Sequence, residues 1–140
     1  MLFGSSMSEP IKLQVEYRED WVVIRLLGRD IVDRMAATLQ AISTAMLARP
    51  VRASLIDLRE VPGNFNFLSR YQLGAMAGQH LPRIPLAVLA NADQPDPKRI
   101  GQLAAQNRGI NVQIFTDPTA AEAWLKNSPA IGSNPPINPA

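Results

Sequence analysis

Ile84-Pro85-Leu86-Ala87-Val88-Leu89-Ala90 is apolar on both of the faces that a strand would present. A short run of this kind marks a strand buried on both sides, the environment of a parallel sheet with helices packed against it. Upstream, Phe65 to Leu81 reads as a helix, although Gly74 and Gly78 lie inside it. Before it stand the strand Val51 to Leu58 and the turn-rich Arg59-Glu60-Val61-Pro62-Gly63-Asn64. Further upstream, Ile31, Met35, Leu39, Ile42 and Met46 recur at helical steps, one stripe of an amphipathic helix. Asp30 and Asp33 stand where the helix dipole favours negative charge, and Arg49 and Pro50 close the segment. At the start, Ile11, Leu13, Val15 and Tyr17 alternate with polar residues, and Trp21 to Leu27 follows after only Arg18-Glu19-Asp20. A connection that short makes these two strands antiparallel.

Downstream, Asn91 to Pro97 is a loop and Lys98 to Arg108 a third helix, with Gly109 at the left-handed cap position. Ile110, Val112 and Ile114 alternate with Asn111 and Gln113 as a last strand. Asp117-Pro118 then opens a helix with an N-cap carboxylate and a proline at the first position, carrying Ala121, Trp124 and Leu125 and ending by Asn127. The order β-β-α-β-α-β-α-β-α predicts an α/β single domain, a mostly parallel five-stranded sheet with an antiparallel edge strand, each crossover right-handed. Residues 1–10 read as a flexible leader, 11–127 as the folded body, and 128–140, with four of the chain's twelve prolines and no charged side chain, as a flexible tail.

The 140 residues suit one domain. The absence of cysteine excludes disulfide frameworks, thiol nucleophiles and thiolate metal sites. A single histidine, His80, leaves no His-cluster metal site and makes a weak basis for a His-based triad. Fourteen basic residues face twelve acidic ones, and the eleven arginines are scattered rather than striped, so no nucleic-acid footprint emerges. No apolar run approaches the ~20 residues of a membrane span. Met1 to Pro10 lacks the pattern of an export signal, which makes the cytoplasm the expected compartment. Nucleophile-elbow, zinc-protease, P-loop and dinucleotide-binding motifs are all missing. Neither a metal nor a cofactor is expected.

The element order, with Trp21-Val-Val-Ile-Arg-Leu-Leu-Gly28, Leu55-Ile-Asp-Leu-Arg59, Ile84 to Ala90, Asn107 to Asp117 and the closing Phe115-Thr-Asp-Pro-Thr-Ala-Ala-Glu-Ala-Trp-Leu125, resembles the STAS superfamily. Within it, the resemblance is to the SpoIIAA-like group, related to CRAL-TRIO lipid-binding domains. It implies a non-enzymatic module that docks to a protein partner. In the family's phosphorylation-switched members a serine follows an aspartate after the third strand. Here Asp57-Leu58-Arg59 replaces it, so the resemblance is to a module without that switch. Ser54 and Ser69 do not match the motif.

Ligands of open α/β sheets sit beyond the carboxyl ends of the strands, which makes Arg29, Asp57, Arg59, Asn91 and Asp93 the candidate binding residues. Asp57 and Arg59, two apart at a strand end, point the same way. They read either as a local ion pair and turn cap or as a holder for a ligand or partner group. Asn91, Asp93 and Asp96 suit a cation or, more simply, a proline-containing turn. Phe65, Leu68, Tyr71, Gly74 and Gly78 could line an apolar pocket or be ordinary helix packing. Ala37, Ala41, Ala45 and Ala48 lie opposite the core stripe of the first helix, a small-residue face suited to a homodimer. Arg25, mid-strand, calls for a carboxylate partner or an open face. Three functions follow: a docking module with an unidentified protein partner, a carrier or sensor of a small apolar or acyl ligand, or, with the least support, an enzyme using Asp57 and Arg59.

Overall fold

A computed structural model describes residues 11–27, 34–61, 67–91 and 100–128, with the side chains of 67–70, 100 and 101 left aside. The elements are β1 (Leu13–Arg18), β2 (Trp21–Leu26), α1 (Met35–Leu47), β3 (Ala53–Asp57), α2 (Phe67–His80), β4 (Leu86–Leu89), α3 (Ile100–Gln106), β5 (Val112–Phe115) and α4 (Pro118–Asn127). One sheet runs in the order β1-β2-β3-β4-β5. β1 pairs antiparallel with β2 in the register Leu13↔Leu26 to Arg18↔Trp21, and the other neighbours are parallel. The expected fold is the observed one.

Strand order decides the layering. Each crossover from β2 to β5 steps one strand in the same direction, so right-handed connections carry α1, α2 and α3 to one face. There Val22, Ile24, Leu26, Ile56 and Leu86 of the sheet meet Leu39, Ile42 and Met46 of α1, Ala77 of α2 and Ala105 of α3. The alternate residues Trp21, Val23, Ala53, Leu55, Ala87 and Leu89 face the other way and form a second core with Ala121 and Leu125 of α4. Burial of both faces explains why β2 to β4 read as near-continuous apolar runs.

Local chemistry fixes the ends of the elements. Asp117 caps α4, its side chain accepting from the Thr119 N–H at 3.1 Å, with Pro118 in the first turn. Gly109 has φ +89°. The Gly109 N–H donates to the Gln106 carbonyl at 3.0 Å and that of Ile110 to Ala105 at 3.1 Å, the paired bonds that close a helix through a left-handed residue. The β1–β2 turn needs only Glu19 and Asp20, with Glu19 in the left-handed region at φ 42°.

Several boundaries differ from the expected ones. α1 begins at Met35 after Arg34 and has no acidic residue in its first turn, while Asp30 and Asp33 lie outside the described residues. Arg49 lies past the helix end, its guanidinium 4.6 Å from the centre of the Tyr17 ring. α2 runs unbroken through Gly74 and Gly78. Ser128, expected in the tail, belongs to the fold: it caps α4, and its carbonyl accepts from Arg52 Nη1 at 3.0 Å.

The alanine face is narrower than expected. Counting about 100° per residue, the buried arc of α1 spans about 160°, and Ala45 falls at its edge. Tyr17 fills the space beside it and donates its hydroxyl to the Ala45 carbonyl at 2.8 Å. Ala45 is therefore core, not dimer face; Ala37 and Ala48 are exposed and Ala41 half-buried.

Candidate functional site

The carboxyl ends of β2 and β3 lie side by side, in a register that pairs Arg25 with Asp57. Both residues point to the second face, continuing the rows Trp21–Val23–Arg25 and Ala53–Leu55–Asp57. α4 lies over β3, β4 and β5, and among the described residues the corner at the carboxyl end of β2 carries polar side chains. Gln14 of β1, opposite Arg25, completes it.

Asp57 is 2% exposed and accepts four hydrogen bonds. Its Oδ1 takes the Arg59 backbone N–H and Arg59 Nε, both at 3.0 Å. Its Oδ2 takes Arg59 Nη2 at 3.0 Å and Arg25 Nε at 3.2 Å. The backbone bond is the turn that an aspartate makes with the residue two ahead. Around it, Leu58 N–H donates to the Leu89 carbonyl at 2.8 Å, Val61 N–H to the Leu58 carbonyl at 3.0 Å and Asn91 Nδ2 to the Arg59 carbonyl at 3.0 Å. Arg25 Nη1 reaches Gln14 Oε1 at 3.3 Å.

Burial pushes the Asp57 carboxyl toward the neutral form. The Arg59 side chain and backbone N–H, with Arg25, outweigh that and hold it below the ordinary carboxylate value. Asp57 in turn raises Arg59. A carboxylate with both oxygens occupied is poorly placed to take a proton from a substrate. What the cluster offers outward is N–H donors, since the side chains of Arg25 and Arg59 are 41% and 38% exposed.

Of the expected binding residues, the structure thus brings Asp57, Arg59 and Asn91 together. Arg29 and Asp93 lie outside the described residues. Arg25 and Gln14 complete the cluster; of the two expectations for Arg25, a carboxylate partner or an open face, the structure supplies Asp57 as the partner and leaves the side chain 41% exposed. Among the described residues, no group of three metal-ligating side chains gathers, and no helix is long and apolar enough to cross a membrane.

Two of the residues expected to line an apolar pocket, Tyr71 and Gly78, meet the Arg108 side chain. Gly78 faces α3, where a β-carbon would come within 2.6 Å of Arg108 Cβ. Arg108 also sits over the Tyr71 ring at 5.9 Å. Gly74 is buried. Gly78 and Tyr71 thus both meet Arg108, just past the end of α3. Phe65 and the Leu68 side chain lie outside the described residues. Ser54 is fully buried within β3, closed to a modifying enzyme in the folded chain.

No protein-family model matches the chain, and no curated protein does. Among solved structures it is similar to an anti-sigma factor antagonist from Mycobacterium paratuberculosis, with a TM-score of 0.57 and 21% identity over 84% of this chain and 95% of that one. Another match is an uncharacterized protein of the DUF3478 family with a SpoIIAA-like fold from Shewanella loihica, with a TM-score of 0.45 and 17% identity over 83% of this chain and 94% of that one. The first likeness shows the fold alone: the chain has the STAS-like architecture of that anti-sigma factor antagonist.

Proposed function

We propose that this chain, built on the fold of an anti-sigma factor antagonist, is a non-enzymatic regulatory module that works by docking to a protein partner, without a phosphoserine switch. The carrying observation is the Asp57 carboxylate with both oxygens occupied by four N–H donors. A group so engaged organises its neighbours rather than performing acid–base chemistry. The next residue is Leu58, which cannot carry a phosphate. Two exposed guanidiniums at a rigid sheet corner are the kind of donor set that protein interfaces use, arginine being enriched at their energetic centres.

The test is capture of partners from the native host with the full chain as bait, in three arms: wild type, Arg59→Gln, and wild type treated with phosphatase. The expected result is a protein retained at constant stoichiometry by wild type, reduced at least about tenfold by Arg59→Gln, and unaffected by phosphatase. Capture abolished by phosphatase would overturn the switch-free reading. Capture indifferent to Arg59→Gln would remove this corner from the interface.

A further inference from the structure

We propose that Arg25 and Arg59, gathered on Asp57 at the open corner of the second face, form an oxyanion-binding site for a carboxylate or phosphate group. Each guanidinium commits two of its five N–H donors, to Asp57 and, for Arg25, also to Gln14. The remaining donors have no protein acceptor among the described residues. Two guanidiniums converge on one carboxylate oxygen, Oδ2, at 3.2 and 3.0 Å. That shared anchor is buried and holds both planar forks in place, so a ligand would not bear the cost of ordering them. Charge points the same way, because one carboxylate leaves the pair of guanidiniums one positive charge in excess.

Among the described residues, no acid other than Asp57 is hydrogen-bonded to either guanidinium, and Glu16 acts on Arg25 through space only. Glu16 is taken up by Arg18 Nε at 2.9 Å. Glu60 is exposed and acts on Arg59 through space only. The site also lies at the carboxyl ends of neighbouring parallel strands, where open α/β sheets receive ligands. The free edges of the two forks match the bidentate geometry of a carboxylate or phosphate. A free anion and an acidic group carried by a docking partner present the same chemistry to these two guanidiniums, and the site rests on the docking reading only in the second case.

The experiment follows the arginine Nε–H cross-peaks by NMR in the full chain during titration at matched ionic strength. One arm uses sodium phosphate, a second the tripeptide acetyl-Gly-Glu-Gly-amide, and a third sodium chloride. The expected result is saturable movement of the Arg25 and Arg59 signals with phosphate, the peptide or both, at dissociation constants of about 1–10 mM, and no saturation with chloride. Tighter binding of the peptide assigns the site to a partner-borne carboxylate, and tighter binding of phosphate to a free anion. Arg25→Gln, which leaves Asp57 paired with Arg59, should weaken binding about tenfold or more. Arg25→Lys keeps the charge without the fork and should fall between. Movement that is linear and equal to chloride with both probes overturns the site, as does binding unchanged in Arg25→Gln and Arg25→Lys. Absence of saturable anion binding in the wild type with partner capture intact would sink the site and leave the docking module standing; the reverse would do the opposite.

Discussion

Asp57 is the residue on which the sheet corner turns. Its folded-state pKa lies below the unfolded value, so its charge contributes stability above about pH 4, the ordinary aspartate range. That contribution is lost as pH falls through the folded value. Asp57→Asn should therefore unfold at lower urea than wild type at pH 7, by about 1–2 kcal/mol once the partial exposure of both arginines is discounted. The gap should shrink steadily below about pH 4. Urea denaturation at pH 7, 5 and 3 checks it, and a gap that is constant with pH would refute the ionic account. The Asp57–Arg59 half of this arrangement was legible in the sequence, because residues two apart at a strand end share a face. The Arg25 half was not. It depends on the β2–β3 register, which nothing local encodes.

At the scale of elements, much of the structure rests on side chains that reach from one element to close off another. Arg52, just before β3, donates from Nη1 to the Leu125 and Ser128 carbonyls at 2.8 and 3.0 Å and so finishes α4. Gln102 Oε1 accepts from the Ile114 N–H and Gln106 Nε2 donates to the Val112 carbonyl, both at 2.9 Å. These two glutamines, one helical turn apart on α3, occupy backbone groups of β5, the terminal strand that would otherwise invite pairing with another chain. Gly78 illustrates the same dependence between neighbours. Alanine is the better helix former by about 1 kcal/mol, yet Gly78→Ala should lower stability by about 1–2 kcal/mol, because its methyl would collide with the root of the Arg108 side chain. Thermal denaturation checks the sign, and a stabilised variant would mean that α3 shifts freely on α2. Helix periodicity, the Asp117-Pro118 cap and the Gly109 stop were readable because each is local. The cross-element closures were not, since an arginine or glutamine beside a helix looks the same whether it meets solvent or a backbone carbonyl.

For the whole molecule, the asymmetry of the layers matters most. One face of the sheet carries three helices, while the core described on the other is closed by α4 alone, through Ala121 and Leu125 with Phe115 and Trp124 at its margin. The Phe115 and Trp124 rings lie 5.9 Å apart at 55°. Leu125 is completely buried, and Leu125→Ala should cost about 2–5 kcal/mol, with both cores lost in one transition if the sheet couples them. Urea unfolding followed by circular dichroism and by tryptophan fluorescence tests this. A loss below about 1 kcal/mol would mean that the second core is dispensable, and separate midpoints would mean that α4 melts on its own. The sequence by itself determined the element order, the mostly parallel sheet with its antiparallel edge and the caps at Gly109 and Asp117, because backbone preference and hydrophobic period are properties of short segments. Tertiary structure alone decided the strand order, the burial of Ala45, the filling of the Gly78 notch and the joining of Arg25 to Asp57. Those depend on which segments lie side by side once the chain has folded, and that is settled by packing between residues far apart in sequence.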